Sequence, residues 1–303
     1  MISWLRSLPT AESLGEFIAE QYGFSVRSCV LLRSLANQVY ELRTDSTRFA
    51  VKVYRAGGWS AEEVAWEQEL VAHAIDRGVP CAAPVPLPDG RWCAELDSPE
   101  GPRPVALSAF VEGVKPRPPF DAGLFGEYGR LIAAFHTAAE DFRTSSPRRP
   151  WDLEAALERP LRELRVEGRD AMIADLADYA RTRLSAHPPA WGIRHGDVSL
   201  DNLHRTDLGL VLHDFDLAGP GWPAADLTGV RATERWEDFA AGYRTVRELP
   251  DLSALPALDI CGLISNLHFH LVRKPLYRGS ESIGEGWADR EIARLEQLHA
   301  ELS

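Results

Sequence analysis

Residues Ile193–Asp216, IRHGDVSLDNLHRTDLGLVLHDFD, decide the reading of this chain. Two short segments, Asn202-Leu203-His204-Arg205 and Leu210-Val211-Leu212-His213, flank a turn at Thr206-Asp207-Leu208-Gly209. That pattern predicts a β-hairpin. Acidic and amide side chains stand at both of its ends. His195-Gly196-Asp197 opens the stretch, Asn202 follows Asp197 by five residues, and Asp214-Phe215-Asp216 closes it. A folded hairpin returns Asp214 to the end where Asn202 lies, with Asp197 just outside. Three oxygen-bearing side chains gathered in this way suit a hard divalent cation together with a reacting hydroxyl.

Protein kinases carry the same parts as H-R-D-x-x-x-x-N followed by D-F-G. Here Gly196 replaces the kinase Arg and Asp216 replaces the kinase Gly. In this form the stretch resembles the aminoglycoside phosphotransferase family, whose relatives include choline kinases, type II homoserine kinases and stress response kinase A. The resemblance implies an α+β, protein-kinase-like two-lobed fold with a small, mostly antiparallel β N-lobe and a larger helical C-lobe. It implies ATP and Mg²⁺ as cofactors. It also implies Asp197 as the residue that orients the acceptor hydroxyl and takes its proton, with Asn202 and Asp214 holding Mg²⁺.

Upstream, Thr10 to Tyr22 reads as a short amphipathic helix, and Val26 to Leu32 and Gln38 to Leu42 as strands. Ser34-Leu35-Ala36-Asn37 lies where protein kinases place a Gly-rich loop, and it holds no glycine. There is no G-x-x-x-x-G-K-[ST] either, which excludes a P-loop enzyme. Arg48 to Tyr54 alternates, with Phe49, Val51 and Val53 facing one way and Ala50, Lys52 and Tyr54 the other. Lys52 is one of three lysines in the chain, against thirty arginines. A compact point charge is the property that sets lysine apart from arginine. Ala50-Val51-Lys52 resembles the kinase V-A-I-K, which implies Ala50 against adenine and Lys52 on the phosphates.

Ser60 and Glu63 form an S-x-x-E capping box, and an apolar stripe follows through Val64, Val71, Ala74 and Ile75. Glu67 falls on that stripe, where a carboxylate needs a partner, and Lys52 is the expected one, as in the kinase Lys–Glu pair; Glu63, on the same face, is the alternative to Glu67 in that pair, but capping already explains it. Pro84 to Glu95 reads as a hairpin around a Pro-Asp-Gly turn. The apolar run Val105 to Val111 then ends at Glu112-Gly113, which resembles the family's hinge. Main-chain groups around Ser108, Phe110 and Val111 would meet adenine there. The expected division is residues 1–107 as N-lobe, 108–113 as hinge and 114–303 as C-lobe. N-Q-V-Y-E-L, V-K-V-Y-R, W-S-A-E-E and V-P-C-A-A-P give this half the flavour of stress response kinase A.

Beyond Pro119, helices are expected over Asp121 to Phe142, Asp152 to Arg165 and Asp170 to His187, and from residue 229 onward with breaks at Pro250, Pro256 and Pro275. His136 reads as a packed histidine. Asp226, near the end of Gly219-Pro220-Gly221-Trp222-Pro223-Ala224-Ala225-Asp226-Leu227, which is similar to the family's G-P-x-x-x-D-L, reads as a brace of the catalytic loop by the same resemblance. The aromatic and imidazole groups near the C-terminus, Trp236, Phe239, Tyr243, His268, Phe269 and His270, read first as core and second as pocket lining.

Composition bounds the rest. The chain has 303 residues, 45% hydrophobic and 26% charged, and a formal net charge of −12 spread along its length. No basic patch suggests nucleic acid or an anionic membrane as partner. Cys29, Cys81, Cys93 and Cys261 lack C-x-x-C spacing, no secretory pattern opens the chain and no stretch approaches eighteen apolar residues, so a cytoplasmic setting is expected. The reading is a phosphotransferase acting on a small-molecule hydroxyl, in resistance or in metabolism. The acceptor stays open among aminoglycosides, nucleosides and other antibiotics, amino alcohols and sugars. A protein Ser/Thr kinase and an inactive nucleotide-binding module are the alternatives.

Overall fold

The computed structural model describes Ile2 and residues 4–302. In chain order its regular elements are α1 Ala11–Tyr22, β1 Ser28–Ser34, β2 Gln38–Arg43, β3 Arg48–Val53, α2 Ala61–Asp76, β4 Pro84–Val85, β5 Ala94–Leu96 and β6 Arg103–Ala109. Next come α3 Ala122–Ala139, α4 Arg159–Glu163, α5 Asp170–Ala186, β7 Gly192–Arg194, β8 Leu203–Thr206, β9 Gly209–Leu212 and β10 Gly219–Gly221. The chain closes with α6 Thr228–Arg231, α7 Trp236–Arg244, α8 Leu255–His268, α9 Lys274–Arg278 and α10 Trp287–Leu302. Two compact units result. One is the chain up to Pro116 with Asp141–Arg148 and Leu203–His213; the other is Arg117–Glu140, Arg149–Asn202 and the chain from Asp214 onward.

The first unit is built on an antiparallel sheet of order β1-β2-β3-β6-β4, with β5 also on β6. Alternation in β3 decides its two faces. Val51 and Val53, both fully buried, join Leu14 and Ile18 of α1, Tyr40 and Leu42 of β2, and Val105 and Leu107 of β6 in one core. Tyr54 and Ala106 point the other way and pack with Val64 of α2. The sheet thus carries α1 on one face and α2 on the other, and Lys52 shares the α2 face with Tyr54. α1 starts at Thr10, whose hydroxyl accepts the Ser13 N–H at 3.2 Å, and stops at Gly23 in the left-handed region. α2 starts with the expected capping box, Ser60 N–H to Glu63 Oε2 at 3.0 Å and Glu63 N–H to Ser60 Oγ at 3.2 Å.

The hairpin read at Pro84 to Glu95 does not form. β4 and β5 pair separately with β6, at Leu107–Ser108 and Arg103–Val105. Pro84 and Pro86 have no N–H to give a mutual ladder, so the segment attaches in two short pieces. The β8–β9 hairpin does form, in the register Leu203↔Leu212 to Thr206↔Gly209.

The second unit is mainly helical. α3 and α7 meet backbone to backbone: a Cβ on Gly129 would lie 2.0 Å from the Phe239 carbonyl oxygen, and one on Gly242 1.9 Å from that of Gly126. Only glycine permits this approach, which sets His136 of α3 beside Tyr243 of α7.

Two expectations for this unit are corrected. The helix read over Asp152 to Arg165 opens as a π-helical turn, Glu154–Glu158, before α4. Pro256 and Pro275 do not break the C-terminal helices: Pro256 sits in the first turn of α8, where a missing N–H costs little, and Pro275 lies inside a continuous helical run. The cause of the π turns is shared. Pro160 and Pro275 each follow one, Glu154–Glu158 and Phe269–Arg273, in which the chain widens where the proline ring would strike the carbonyl four residues back. For Pro160 that carbonyl belongs to Ala156, and Ser265 Oγ supplies the missing donor at 2.7 Å. The run Leu252–Arg278 is consequently one helix long and apolar enough to cross a membrane, where the sequence showed none. Its apolar side chains Leu258, Ile260, Ile264 and Leu267 are fully buried, which marks it as a core helix of this unit.

Candidate active site

Asp197 lies in the loop between β7 and β8 with its carboxylate held by Asn202. Asn202 Nδ2 donates to Asp197 Oδ2 at 2.8 Å and to the Asp197 carbonyl at 2.9 Å. Both amide hydrogens are committed to one residue, so Asn202 Oδ1 is the atom left for a ligand. Burial raises the Asp197 carboxyl above the ordinary carboxylate range; Asn202 opposes this, and the charges of Asp214, Asp216 and Asp226 add to it.

Asp226 holds the loop from beneath. Its carboxylate accepts the N–H of His195 at 2.7 Å and of Gly196 at 2.8 Å, and pairs with His136 Nε2 at 3.0 Å. His136 Nδ1 reaches the Tyr243 hydroxyl at 2.9 Å. Burial pushes the Asp226 carboxyl up, but His136, Arg194 and His195 outweigh it and leave the group below its ordinary value. Asp226 is thus the brace the sequence suggested, and the packed His136 is its partner. Gly196 explains why the kinase arginine is absent here. Its φ is 86°, and a Cβ would lie 2.2 Å from the Leu217 carbonyl oxygen. His195 is fully buried against Phe215, at a ring distance of 4.6 Å, and its Nδ1 accepts the Asp197 N–H at 3.3 Å.

Asp214 follows the hairpin with φ 64° and ψ 64°, the one positive φ outside glycine among the described residues. A side chain held in that region is a local cost which surrounding structure must impose. The pairing Leu203↔Leu212 returns the chain so that Asn202 and Asp214 flank the same end of the hairpin, as the sequence predicted. Among the described residues no group of three His, Cys, Asp or Glu side chains forms a metal cluster. One carboxylate and one amide oxygen beside a negatively charged loop fit a hard cation that takes its other ligands from phosphate and water.

In the first unit Lys52 pairs in register with Val39 and Ala106, and its ammonium lies 5.7 Å from the centroid of the Tyr54 ring. Glu67 is 3% exposed, as its place on the apolar stripe required. Its Oε1 accepts the Tyr54 hydroxyl at 2.8 Å, and Arg148 Nη1 stands 3.9 Å from Oε2. Tyr54 therefore bonds to Glu67 and presents its ring to the Lys52 ammonium. Arg148 also donates to the Glu63 carbonyl at 3.0 Å and stacks on Trp59 at 3.7 Å. Neither Tyr54 nor Arg148 was singled out from the sequence. Tyr54 could have been, since it shares the alternating face with Lys52; Arg148, 85 residues from Glu63, left no local signal.

Ala50 pairs with Ser108 across β3 and β6, so two candidate base contacts are cross-strand neighbours. Phe110 gives its N–H to Arg48 O at 3.2 Å and Ala109 gives its own to Ala83 O at 2.7 Å. Those two donors are used by the chain itself. Gly113 meets β8 closely, and Val114 exchanges hydrogen bonds of 3.0 and 2.8 Å with Arg205.

The phosphotransferase enzyme family (APH) matches residues 29–258, and the chain belongs to that family. An uncharacterized protein of Deinococcus radiodurans is 35% identical over 275 residues, 83% of this chain and 79% of that protein. A homoserine kinase of Acidiphilium cryptum is 30% identical over 273 residues, 82% of each. Among solved structures, a microcompartment-associated aminopropanol kinase shares the fold with a TM-score of 0.80 at 22% identity, covering 96% of this chain and 98% of that one. The α+β kinase-like fold is thereby established. The chain is a small-molecule phosphotransferase that transfers phosphate to a hydroxyl group.

Proposed function

We propose that the chain transfers the γ-phosphate of ATP to the hydroxyl of a small polar molecule, with Asp197 as the base that orients and deprotonates it. The observation that carries this reading is the pair of hydrogen bonds that Asn202 donates to Asp197, which would make the base and a metal ligand one rigid piece. Burial and neighbouring carboxylates raise the proton affinity of Asp197, which suits a group that must accept a proton as the new bond forms. Phosphoryl transfer has a loose transition state, so holding the hydroxyl in line supplies more rate than nucleophile activation. Asn202 Oδ1 and Asp214 would hold Mg²⁺, which when bound offsets charge on the phosphates. Lys52 would hold phosphate oxygens. Glu67, fixed by Tyr54 and Arg148, would keep Lys52 in place. Ala50 would pack on the base, and the segment 108–113, with Ser108 and Phe110, would offer it main-chain groups other than the two N–H already used.

The protein would work in the cytoplasm, in metabolism or in the inactivation of an antibiotic. The test is Asp197→Asn against wild type, with a panel of hydroxylated amines, hydroxy acids, nucleosides and sugars, reading ADP formation and product mass. Support requires at least ~10²-fold loss of kcat with nucleotide affinity kept, the usual scale for a positioned base. A variant with wild-type kcat removes Asp197 from the chemistry.

A further inference from the structure

Arg194 ends β7 three residues before Asp197 and is 7% exposed. Its stem passes Gly221 of β10, where a Cβ would lie 3.2 Å from Cδ and so crowd it. Its guanidinium lies 4.0 Å from the centroid of Trp151. Trp151 packs edge-on to Trp222 at 5.8 Å, and Trp222 edge-on to Trp191 at 5.4 Å; Trp191 is half exposed. The cation is thus set at the inner end of an aromatic row that reaches solvent.

Arg194 makes no side-chain hydrogen bond among the described residues, and its Nε is enclosed. Asp226 and Asp197 act on it through their charge without a hydrogen bond to it; both Asp226 oxygens are engaged by His195, Gly196 and His136, and Asp197 Oδ2 by Asn202. Burial pushes the group down only to about 10, so it remains a cation at neutral pH. A buried cation lacking hydrogen bonds is costly unless something it binds repays the cost. A guanidinium is a planar fork of donors whose geometry matches a carboxylate.

We propose that Arg194 is the anion anchor of the acceptor site and takes the carboxylate of a hydroxy acid, such as a hydroxy amino acid, whose hydroxyl lies at Asp197. The inference rests on the phosphotransfer reading above and narrows its acceptor class. In the step itself the hydroxyl oxygen bonds to the γ-phosphorus, the bond from that phosphorus to the β,γ-bridging oxygen breaks, the hydroxyl proton passes to Asp197, and ADP leaves. Arg194 remains on the carboxylate throughout, so it contributes to binding the acceptor and to its orientation.

Matched acceptors test this directly. Homoserine, serine and threonine are each compared with the amino alcohol that lacks only the carboxylate: 3-aminopropan-1-ol, 2-aminoethanol and 1-aminopropan-2-ol. With ATP and Mg²⁺, at least one acid is expected to exceed its partner in kcat/KM by ~10–100-fold, the scale of a charge-assisted hydrogen-bonded pair. Arg194→Met is expected to bring that ratio to near one. Should Arg194→Met fail to fold, Arg194→Lys keeps charge and stem but loses the fork, and is expected to raise KM for the acid with kcat retained. Equal or better use of the amino alcohols by wild type overturns the proposal. If nothing is turned over, thermal melts with the same compounds separate the two claims. A Tm rise given by acids alone, and lost in the Arg194 variant, keeps the anchor while phosphotransfer fails; no such rise overturns the anchor.

Discussion

Asp226→Asn tests how the loop that carries Asp197 is held. The wild-type carboxylate is 4% exposed and meets three donors, the N–H of His195 at 2.7 Å, that of Gly196 at 2.8 Å and His136 Nε2 at 3.0 Å. An amide keeps one oxygen and turns its NH₂ group toward at least one of these donors, which is left unpaired and opposed by another donor. Each unsatisfied buried group costs about 1–3 kcal/mol, and breaking a buried charged pair about 3–5 kcal/mol. Against a total stability of roughly 5–15 kcal/mol, a loss of about 3–5 kcal/mol should lower Tm by roughly 6–15 °C. Activity should fall as well, since His195 and Gly196 fix the path into Asp197. The pH dependence has a definite sign. The folded-state pKa of Asp226 is depressed, so its stabilisation is complete above the ordinary carboxylate value of about 4 and is lost as pH falls through the lower folded-state value. The gap between variant and wild type should therefore hold at neutral pH and close only in acid. Circular-dichroism melts over a pH series, paired with steady-state rates, check both points. A variant with wild-type Tm and wild-type kcat at neutral pH refutes the brace.

Three further outcomes follow from the same geometry. The folded-state pKa of Asp197 is raised, so the group detracts from stability as pH rises between its unfolded and folded values; in chelator at neutral pH, Asp197→Asn should melt above wild type, and the difference should vanish below pH of about 4. A melt at or below the wild-type temperature at neutral pH removes the claim that this carboxylate is held at a cost. Asp214→Ala should abolish the Mg²⁺ dependence of ATP binding in calorimetry, and unchanged Mg·ATP affinity would count against Asp214 as a ligand. Glu67→Ala removes the acceptor for Tyr54 and the carboxylate beside Arg148, and should cost about 3–5 kcal/mol, partly restored by Mg·ATP. Glu63→Ala should cost only its share of the cap, about 0.5–2 kcal/mol, with no nucleotide effect; the reverse order of nucleotide sensitivity would assign the pair to the wrong glutamate.

Much of this architecture is legible because its causes are local. The alternation of β3, the capping box of α2 and the Thr206–Gly209 turn each lie within a few residues, and each forms as read. Glu67 is found by period alone, since four residues of helix bring it back onto the buried stripe. What was missed depends on distant partners. Arg148 reaches Glu63 over 85 positions, and Ser265 serves the Ala156 carbonyl over 109. The prolines misled in both directions. The turn at Pro88-Asp89-Gly90 suggested a hairpin although Pro84 and Pro86 deprive it of donors; Pro256 suggested a break although a first helical turn has no use for the missing N–H, and Pro275 another although a π turn absorbs its ring. Arg194 carries no motif of its own; its meaning lies in burial without an acceptor, which only three-dimensional neighbours reveal.

The central claim is that phosphate moves from ATP to a small hydroxyl under the direction of Asp197. Its most direct measurement is a transfer assay with γ-labelled ATP over the acceptor panel, separating nucleotide, phosphate and product, with wild type and Asp197→Asn side by side. The account predicts label in a small-molecule phosphate ester, dependent on both acceptor and Mg²⁺, and at least ~10²-fold slower in the variant. Label found only as free phosphate regardless of acceptor, or transferred equally well by Asp197→Asn, would contradict it.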